Sequence, residues 1–254
     1  MASQLDGRVA LVTGGGRGIG KAISLGLAED GADVAVNYRR DADAAAETVG
    51  EIEALGRRAV AYQASVDSLE DDERMVAQVL ADFGAIDILV NNAGIASRGK
   101  GVVDTDPAEV DRLLASHAVG PHHLCRLALP SMRERPRGDV IFISSVATDH
   151  HAANGGPYNM GKAAMEALAS TLAKEERRHG IHVNVVAPGL VETEMGRRLV
   201  GAAGVTDIRT LDKTMPFGRV CQPEDVAGAV RFLVSDAAGY VTDQRIRVHG
   251  GGQG

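Results

Sequence analysis

Val9-Ala10-Leu11-Val12-Thr13-Gly14-Gly15-Gly16-Arg17-Gly18-Ile19-Gly20 decides the fold of this 254-residue chain. Four apolar residues run into a glycine cluster, and the glycines run into a helical pattern of Ile23, Leu25, Leu27 and Ala28. A strand that turns into a helix through glycines lets backbone N–H groups approach an anion with no Cβ in the way. The helix dipole adds partial positive charge at the same point. The spacing is TGxxxGxG rather than GxGxxG, with Gly14, Gly18 and Gly20 as its fixed members. The stretch predicts a pyrophosphate cradle that includes Gly14, Arg17, Gly18, Ile19 and Gly20.

The next strand indicates which dinucleotide. Asp33-Val34-Ala35-Val36 ends in Asn37-Tyr38-Arg39-Arg40, where an NAD site would be expected to offer a carboxylate to the ribose hydroxyls. With no carboxylate at that tip, Arg39 and Arg17 can grip a 2′-phosphate through planar charged forks. NADP(H) is therefore expected over NAD(H), which stays possible. The competing reading makes Arg39 and Arg40 solvated loop charges.

Outward from these two strands, apolar runs and helical patterns alternate to the end of the chain. Strands are expected near 8–12, 33–37, 58–62, 86–90, 139–144, 181–186 and 244–248. Helices are expected near 18–30, 41–55, 68–83, 107–133, 156–179 and 223–235. The alternation implies an α/β fold: one Rossmann-type doubly wound sheet of seven mainly parallel strands, with helices on both faces. No linker or repeat divides it, so 1–254 reads as a single domain. Ligands gather at the carboxyl ends of such strands, where Gly14, Asn37, Asn92, Ser145 and Pro188 fall. The segment 190–220 has a weaker pattern, interrupted by Gly196, Gly201 and Gly204. It reads as a mobile substrate lid, with a rigid surface insertion as the alternative.

Tyr158-Asn159-Met160-Gly161-Lys162 puts a phenol and an ammonium on one helical face, with Ser145 thirteen residues upstream. A free phenol titrates near 10, too high for proton transfer at neutral pH, and a nearby cation lowers an acid by roughly 1–3 units. Ser145 would hold a carbonyl oxygen while Tyr158 protonates it and hydride reaches the carbon. Such a pair is common by chance; the upstream glycine loop and serine give it meaning.

With these motifs the chain resembles the short-chain dehydrogenase/reductase family, in particular its β-ketoacyl-carrier-protein reductase-like branch, from Gly7 to Gly251. The resemblance also rests on Asn91-Asn92-Ala93-Gly94, on Asn184-Val185-Val186-Ala187-Pro188-Gly189 followed by Val191 and Thr193, and on the tail from Phe217-Gly218-Arg219 through Pro223-Glu224-Asp225 to Phe232-Leu233. It implies that Asn92, Ala93 and Gly94 pack on the adenosine side, that Pro188, Gly189, Val191 and Thr193 hold the nicotinamide carboxamide, and that Lys162 also meets the nicotinamide ribose. It implies interconversion of a ketone and a secondary alcohol. A 3-oxoacyl-carrier-protein reductase is the narrower alternative, and a non-catalytic NADP(H)-binding regulator an alternative of another class.

Two positions depart from the family pattern. Where the family has an asparagine that helps hold a water beside the lysine, this chain has His117, either a titratable relay or a buried neutral ring. Where the family often has an aspartate against adenine, this chain has Ser65, followed by Val66.

A hydrophobic content of 44% in 254 residues supports one sizeable core, and a net charge of −7 argues against a nucleic-acid partner. No apolar stretch approaches 18 residues, so no membrane partner is expected. Cys125 and Cys221 are isolated and read as reduced thiols, which with the absence of a leader predicts a cytoplasmic protein. The pairs His122-His123 and His150-His151 lack metal-ligand spacing, so no metal is expected. Arg133, Arg135 and Arg137 read as a solvated helix end in preference to a docking patch for an acidic carrier. Ala96, Thr148, Asp149, His151, Asn154, Leu190 and Met195 are candidates for the substrate wall. Asp149, His150 and His151 make that wall polar, which tilts the reading to a small polar or cyclic ketone. Apolar or small residues on more than one face of 107–133 and 156–179 leave a surplus face for self-association; the family resemblance implies that this yields a homotetramer, with a dimer as runner-up.

Overall fold

The computed structural model describes residues 4–252; residues 1–3 and 253–254 of the expected single domain lie outside the described residues. Seven strands form one sheet: β1 (Val9–Val12), β2 (Asp33–Tyr38), β3 (Ala59–Gln63), β4 (Ile88–Asn91), β5 (Gly138–Ile143), β6 (Ile181–Pro188) and β7 (Arg245–Val248). Their order is β3-β2-β1-β4-β5-β6-β7, and every pairing is parallel rather than mainly so. The order reverses direction at β1, so the crevice lies between the carboxyl ends of β1 and β4.

Alternation along each strand builds two cores. Ala10 and Val12 of β1 join Val34, Val36, Ile88, Val90 and Ile141 on one face. That face is covered by α1 (Gly18–Glu29), α2 (Ala42–Ala54) and α9 (Pro223–Val234) through Ile23, Leu27, Ile52, Val226, Val230 and Leu233. Leu11, Ala35, Leu89, Val140 and Phe142 point the other way. There they meet Met75 and Val79 of α3 (Leu69–Phe83), Leu124 and Ala128 of α5 (Gly120–Met132), and Met165 and Leu172 of α7 (Gly156–Glu176).

The helix expected over 107–133 is broken. α4 (Pro107–Leu114) and α5 are separated by a π-turn, Ala115–Val119, which carries His117. Pro121 has no N–H to offer the carbonyl four residues back, at His117, and the loosened turn follows from that missing bond. The segment 190–220 is more regular than its glycines suggest. It forms α8 (Glu194–Ala202) and a 3₁₀ helix, Ile208–Thr214, over a small cluster of Val200, Ile208 and Val220. Gly196 sits inside α8 because a Cβ there would run into the Val191 carbonyl. The short helix α6 (Ala147–His150) was not anticipated.

Arg133, Arg135 and Arg137 are more than a solvated helix end. Each closes an ion pair on a buried carboxylate: Arg133 on Glu176 at 2.5 Å, Arg135 on Asp87 at 2.6 Å and Arg137 on Asp139 at 3.0 Å. No helix among the described residues is long and apolar enough to cross a membrane.

Candidate active site

The glycine loop is held in shape by side chains at the ends of three strands. Thr13, at the end of β1, donates its hydroxyl to the Val90 carbonyl and accepts the backbone N–H groups of Asn92 and Ala93, each at 2.9 Å. The Asn92 amide donates to the carbonyls of Thr13 at 2.8 Å and Gly14 at 3.3 Å. Gly14 has φ +60°, and a Cβ on Gly20 would collide with the Gly14 carbonyl, so neither position accepts a side chain. The first turn of α1, with no side-chain cap at Arg17, is thereby presented bare to the crevice. A pyrophosphate fits this cradle on geometry and on charge.

Around the cradle, the predicted cofactor residues divide. Arg39 is exposed and pairs with no carboxylate among the described residues, so its guanidinium is free for an anion. Arg17 is paired with Glu194 of α8 at 2.8 Å, both side chains being more than half exposed. Such a pair contributes little and exchanges readily for a phosphate. Tyr38 and Ile19 lie half-buried against the first core. Asn37 is corrected to a scaffold role. Its side chain is 1% exposed, accepts the Gly14 N–H at 3.1 Å and donates to Tyr62 and Ala64 carbonyls. Ser65 donates to Asp67 at 2.5 Å and its N–H to Asp71 at 3.0 Å, while Val66 is buried beside it. Pro188 ends β6, the Gly189 N–H donates to Val248 at 3.0 Å, and Val191 is buried. Thr193 caps α8, accepting the Gly196 N–H at 3.1 Å.

Tyr158 and Lys162 stand one turn apart on α7, with the ammonium 5.8 Å from the centre of the phenol ring. The lysine nitrogen donates to the Ile143 carbonyl at 2.7 Å. Burial lowers its pKa to about 7, and the carboxylate of Glu166 acts against the fall. The phenol does not follow the expected downward shift. Withdrawal from water raises it, and the Ser145 hydroxyl beside it pulls the other way. Ser145 itself accepts the Ala147 N–H at 3.1 Å at the start of α6, which fixes the turn after β5.

His117 packs edge-on against Tyr158, ring centres 5.3 Å apart. Its Nε2 lies 2.8 Å from the Ile95 carbonyl, which only accepts, so Nε2 carries the proton and donates. Nδ1 is buried with no partner among the described residues. Burial first, and Lys162 second, push the ring down to about 3, so it stays neutral at physiological pH. Burial and the missing partner at Nδ1 favour the buried neutral ring over a relay that titrates near neutrality. Gly94 is glycine for the same reason: a Cβ there would collide with the His117 ring.

The predicted substrate wall comes together only in part. Ala96, His151 and Asn154 are exposed around the mouth, and Met195 is 41% exposed on α8. Asp149 is withdrawn from it, held by Arg245 at 3.0 Å and Arg247 at 3.2 Å. Leu190 packs on the small cluster under α8, and Thr148 bonds Glu166 at 2.9 Å. The polar wall loses its carboxylate, and the tilt toward a small polar ketone loses that support. Sequence reading missed Thr13, Glu109, Glu166 and Arg245. Glu109, 3% exposed, accepts the Arg98 N–H at 2.6 Å and pins the loop after Gly94. Glu166 was legible as the next residue at i+4 spacing after Tyr158 and Lys162. Among the described residues no three His, Cys, Asp or Glu side chains converge on a metal position.

Residues 14–253 match the family model described as Enoyl-(Acyl carrier protein) reductase. The chain is 36% identical over 248 residues to a 3-oxoacyl-[acyl-carrier-protein] reductase of Synechocystis sp., covering 97% of each. It is 35% identical over 252 residues to an L-rhamnose 1-dehydrogenase (NAD(P)(+)) of Sphingomonas sp., covering 97% of this chain and 96% of that one. Among solved structures, a short chain dehydrogenase from Burkholderia cenocepacia in complex with NADP superposes with a TM-score of 0.88 at 34% identity, covering 98% of each chain. A 7α-hydroxysteroid dehydrogenase complexed with NADH and 7-oxo glycochenodeoxycholic acid gives 0.90 at 33% identity, covering 99% of this chain and 96% of that one. The chain belongs to the short-chain dehydrogenase/reductase family, on its ketoreductase-like branch, and is an oxidoreductase of CH–OH and C=O groups.

Proposed function

We propose that the protein interconverts a ketone and a secondary alcohol with NADP(H) preferred, Tyr158 serving as general acid and base. The observation that carries this is that Ser145 lies beside the Tyr158 phenol, with Lys162 one turn on, at the carboxyl edge of the sheet where the bare first turn of α1 also opens. A bound nicotinamide supplies or accepts the hydride. Ser145 donates to the substrate oxygen, Tyr158 delivers the proton to that oxygen as negative charge develops, and Lys162 holds positive charge next to the phenol. Arg39, joined by Arg17 once it leaves Glu194, favours a 2′-phosphate. NAD(H) remains a usable second cofactor.

The specific alternative is reduction of a 3-oxoacyl thioester carried on a protein, which the Synechocystis relative supports while the rhamnose and hydroxysteroid dehydrogenases point to other substrates. NADPH oxidation measured against a panel of cyclic ketones, sugars, steroids and ketoacyl thioesters separates these substrates. Tyr158→Phe should lower turnover by about 10²–10⁴-fold while NADPH affinity barely changes. Substantial ketone reduction by that variant overturns the mechanism.

The outer faces of the helix pair leave Val119 (47% exposed), Met160 (51%), Ala163 and Ala167 without cover in one chain. These support self-association about a two-fold axis, as a homotetramer or, failing that, a dimer. Light scattering that finds an active species of the 26.5 kDa chain mass refutes it.

A further inference from the structure

Behind Ser145 and Tyr158 lies a polar cluster that joins three separated parts of the chain. Arg245, the first residue of the edge strand β7, reaches across β6 to the turn after β5. Its guanidinium donates to the backbone carbonyl of Ser145 at 3.0 Å and to the Thr148 hydroxyl at 2.7 Å. The same guanidinium donates to Glu166 at 2.9 Å and pairs with Asp149 at 3.0 Å. One oxygen of Glu166 accepts from the Ser144 hydroxyl at 2.5 Å and the Thr148 hydroxyl at 2.9 Å as well. Glu166 lies one turn beyond Lys162, so Tyr158, Lys162 and Glu166 form one stripe along α7.

We propose that Arg245 and Glu166 are positioning residues that clamp the segment 144–149 to α7 and so fix Ser145 against Tyr158. Ser145 stands at a strand end, where a backbone turn rather than packing sets the direction of its hydroxyl. The carbonyl of that residue is held by Arg245, and the residues on either side of it, Ser144 and the first turn of α6, are held by Glu166 and Arg245 together. A planar guanidinium has enough donors in fixed directions to make all four contacts at once, and an ammonium does not. Asp149 is thereby a member of the clamp and not of the substrate wall.

The clamp rests on the proposed role of Ser145, so its test has one readout that depends on turnover and one that does not. Arg245→Met should speed amide hydrogen exchange in 144–151 while leaving α1 and β4 unchanged. It should cut kcat on the order of 10–100-fold, the scale expected when a reacting group is misplaced by about 1 Å, with NADPH binding unaltered. Arg245→Lys should fall between, and carries the test if the methionine variant does not fold. Thr148→Val combined with Arg245→Met should cost less than the two separate losses multiplied, because both act through one segment. Wild-type exchange in 144–151, or undiminished kcat with only a lower Tm, overturns the clamp. If the wild-type protein reduces no ketone, the reading of the site fails on its own, and the exchange measurement still decides the clamp.

Discussion

His117 gives the sharpest separation between two descriptions of the site. In the folded protein its ring is buried, donates from Nε2 to Ile95 and is pushed down to about 3 from an ordinary 6.5. The unfolded chain therefore binds a proton at this position below pH 6.5 that the folded chain refuses until about pH 3. Folding stability at this residue is complete above pH 6.5 and is lost as pH falls through that window. The slope is about 1.4 kcal/mol per pH unit, which gives an upper limit of about 4–5 kcal/mol near pH 3. His117→Asn removes the slope and adds a pH-independent offset from changed packing. Urea unfolding of both proteins from pH 4 to pH 7 measures it. The wild type should lose stability faster on acidification, by about 2–3 kcal/mol at pH 4 once other groups cancel in the difference. Activity should show no ionisation between pH 5 and 8 that the substitution removes. Parallel stability curves, or a His117 resonance titrating near 6.5, refute the assignment.

Other residues give further tests. Arg39→Ala should weaken NADPH by about 10–100-fold and leave NADH nearly unchanged, since a hydrogen bond to a charged group contributes roughly 1.5–3 kcal/mol; equal losses for both cofactors in titrations refute it. Lys162→Met should abolish turnover and stabilise the fold at pH 6 by on the order of 1–2 kcal/mol, because the buried ammonium is charged there below its pKa of about 7. That gain should shrink as pH rises from 7 to 10.5, where only the unfolded lysine keeps its proton. Asp72, whose two oxygens accept no hydrogen bond among the described residues and whose nearest basic neighbour there is the His123 ring at 3.9 Å, is raised to about 8 by burial first and by Asp71 and Asp67 next. Asp72→Asn should therefore stabilise the protein at pH 8 and leave it unchanged below pH 4, by on the order of 1–2 kcal/mol after allowing for screening. A destabilised variant in urea at pH 8 refutes it.

The parts of this molecule that were legible in the sequence are those governed by local rules. Val9 to Gly20 specify strand, turn and helix without reference to anything distant, and the 3.6-residue period alone places Lys162 under Tyr158. What was not legible depends on partners far apart in the chain. Asn37 reads as a cofactor residue because it ends a strand, yet three backbone groups from two other segments claim its side chain. Asp149 reads as a pocket wall until Arg245, nearly a hundred residues on, takes its charge. The break at His117 was within reach, since Pro121 removes a helical hydrogen bond, but the apolar period runs through it unbroken.

The electrostatics of the stripe on α7 bear on direction. Burial raises the phenol and lowers the ammonium, so at neutral pH Tyr158 holds its proton and Lys162 is near its midpoint. A phenol that holds its proton is the form that acts as an acid, which is the role required when a carbonyl becomes an alcohol. The reverse reaction needs the phenolate, which the same burial disfavours and which a charged Lys162 alone among the neighbours on α7 would favour. Glu166 opposes the loss of that charge, and Arg245 fixes Glu166 where it does so. The protonated phenol is the form that the proposed reduction would use, and the proposed clamp holds Glu166 where its carboxylate supports the lysine charge that the reverse direction would use.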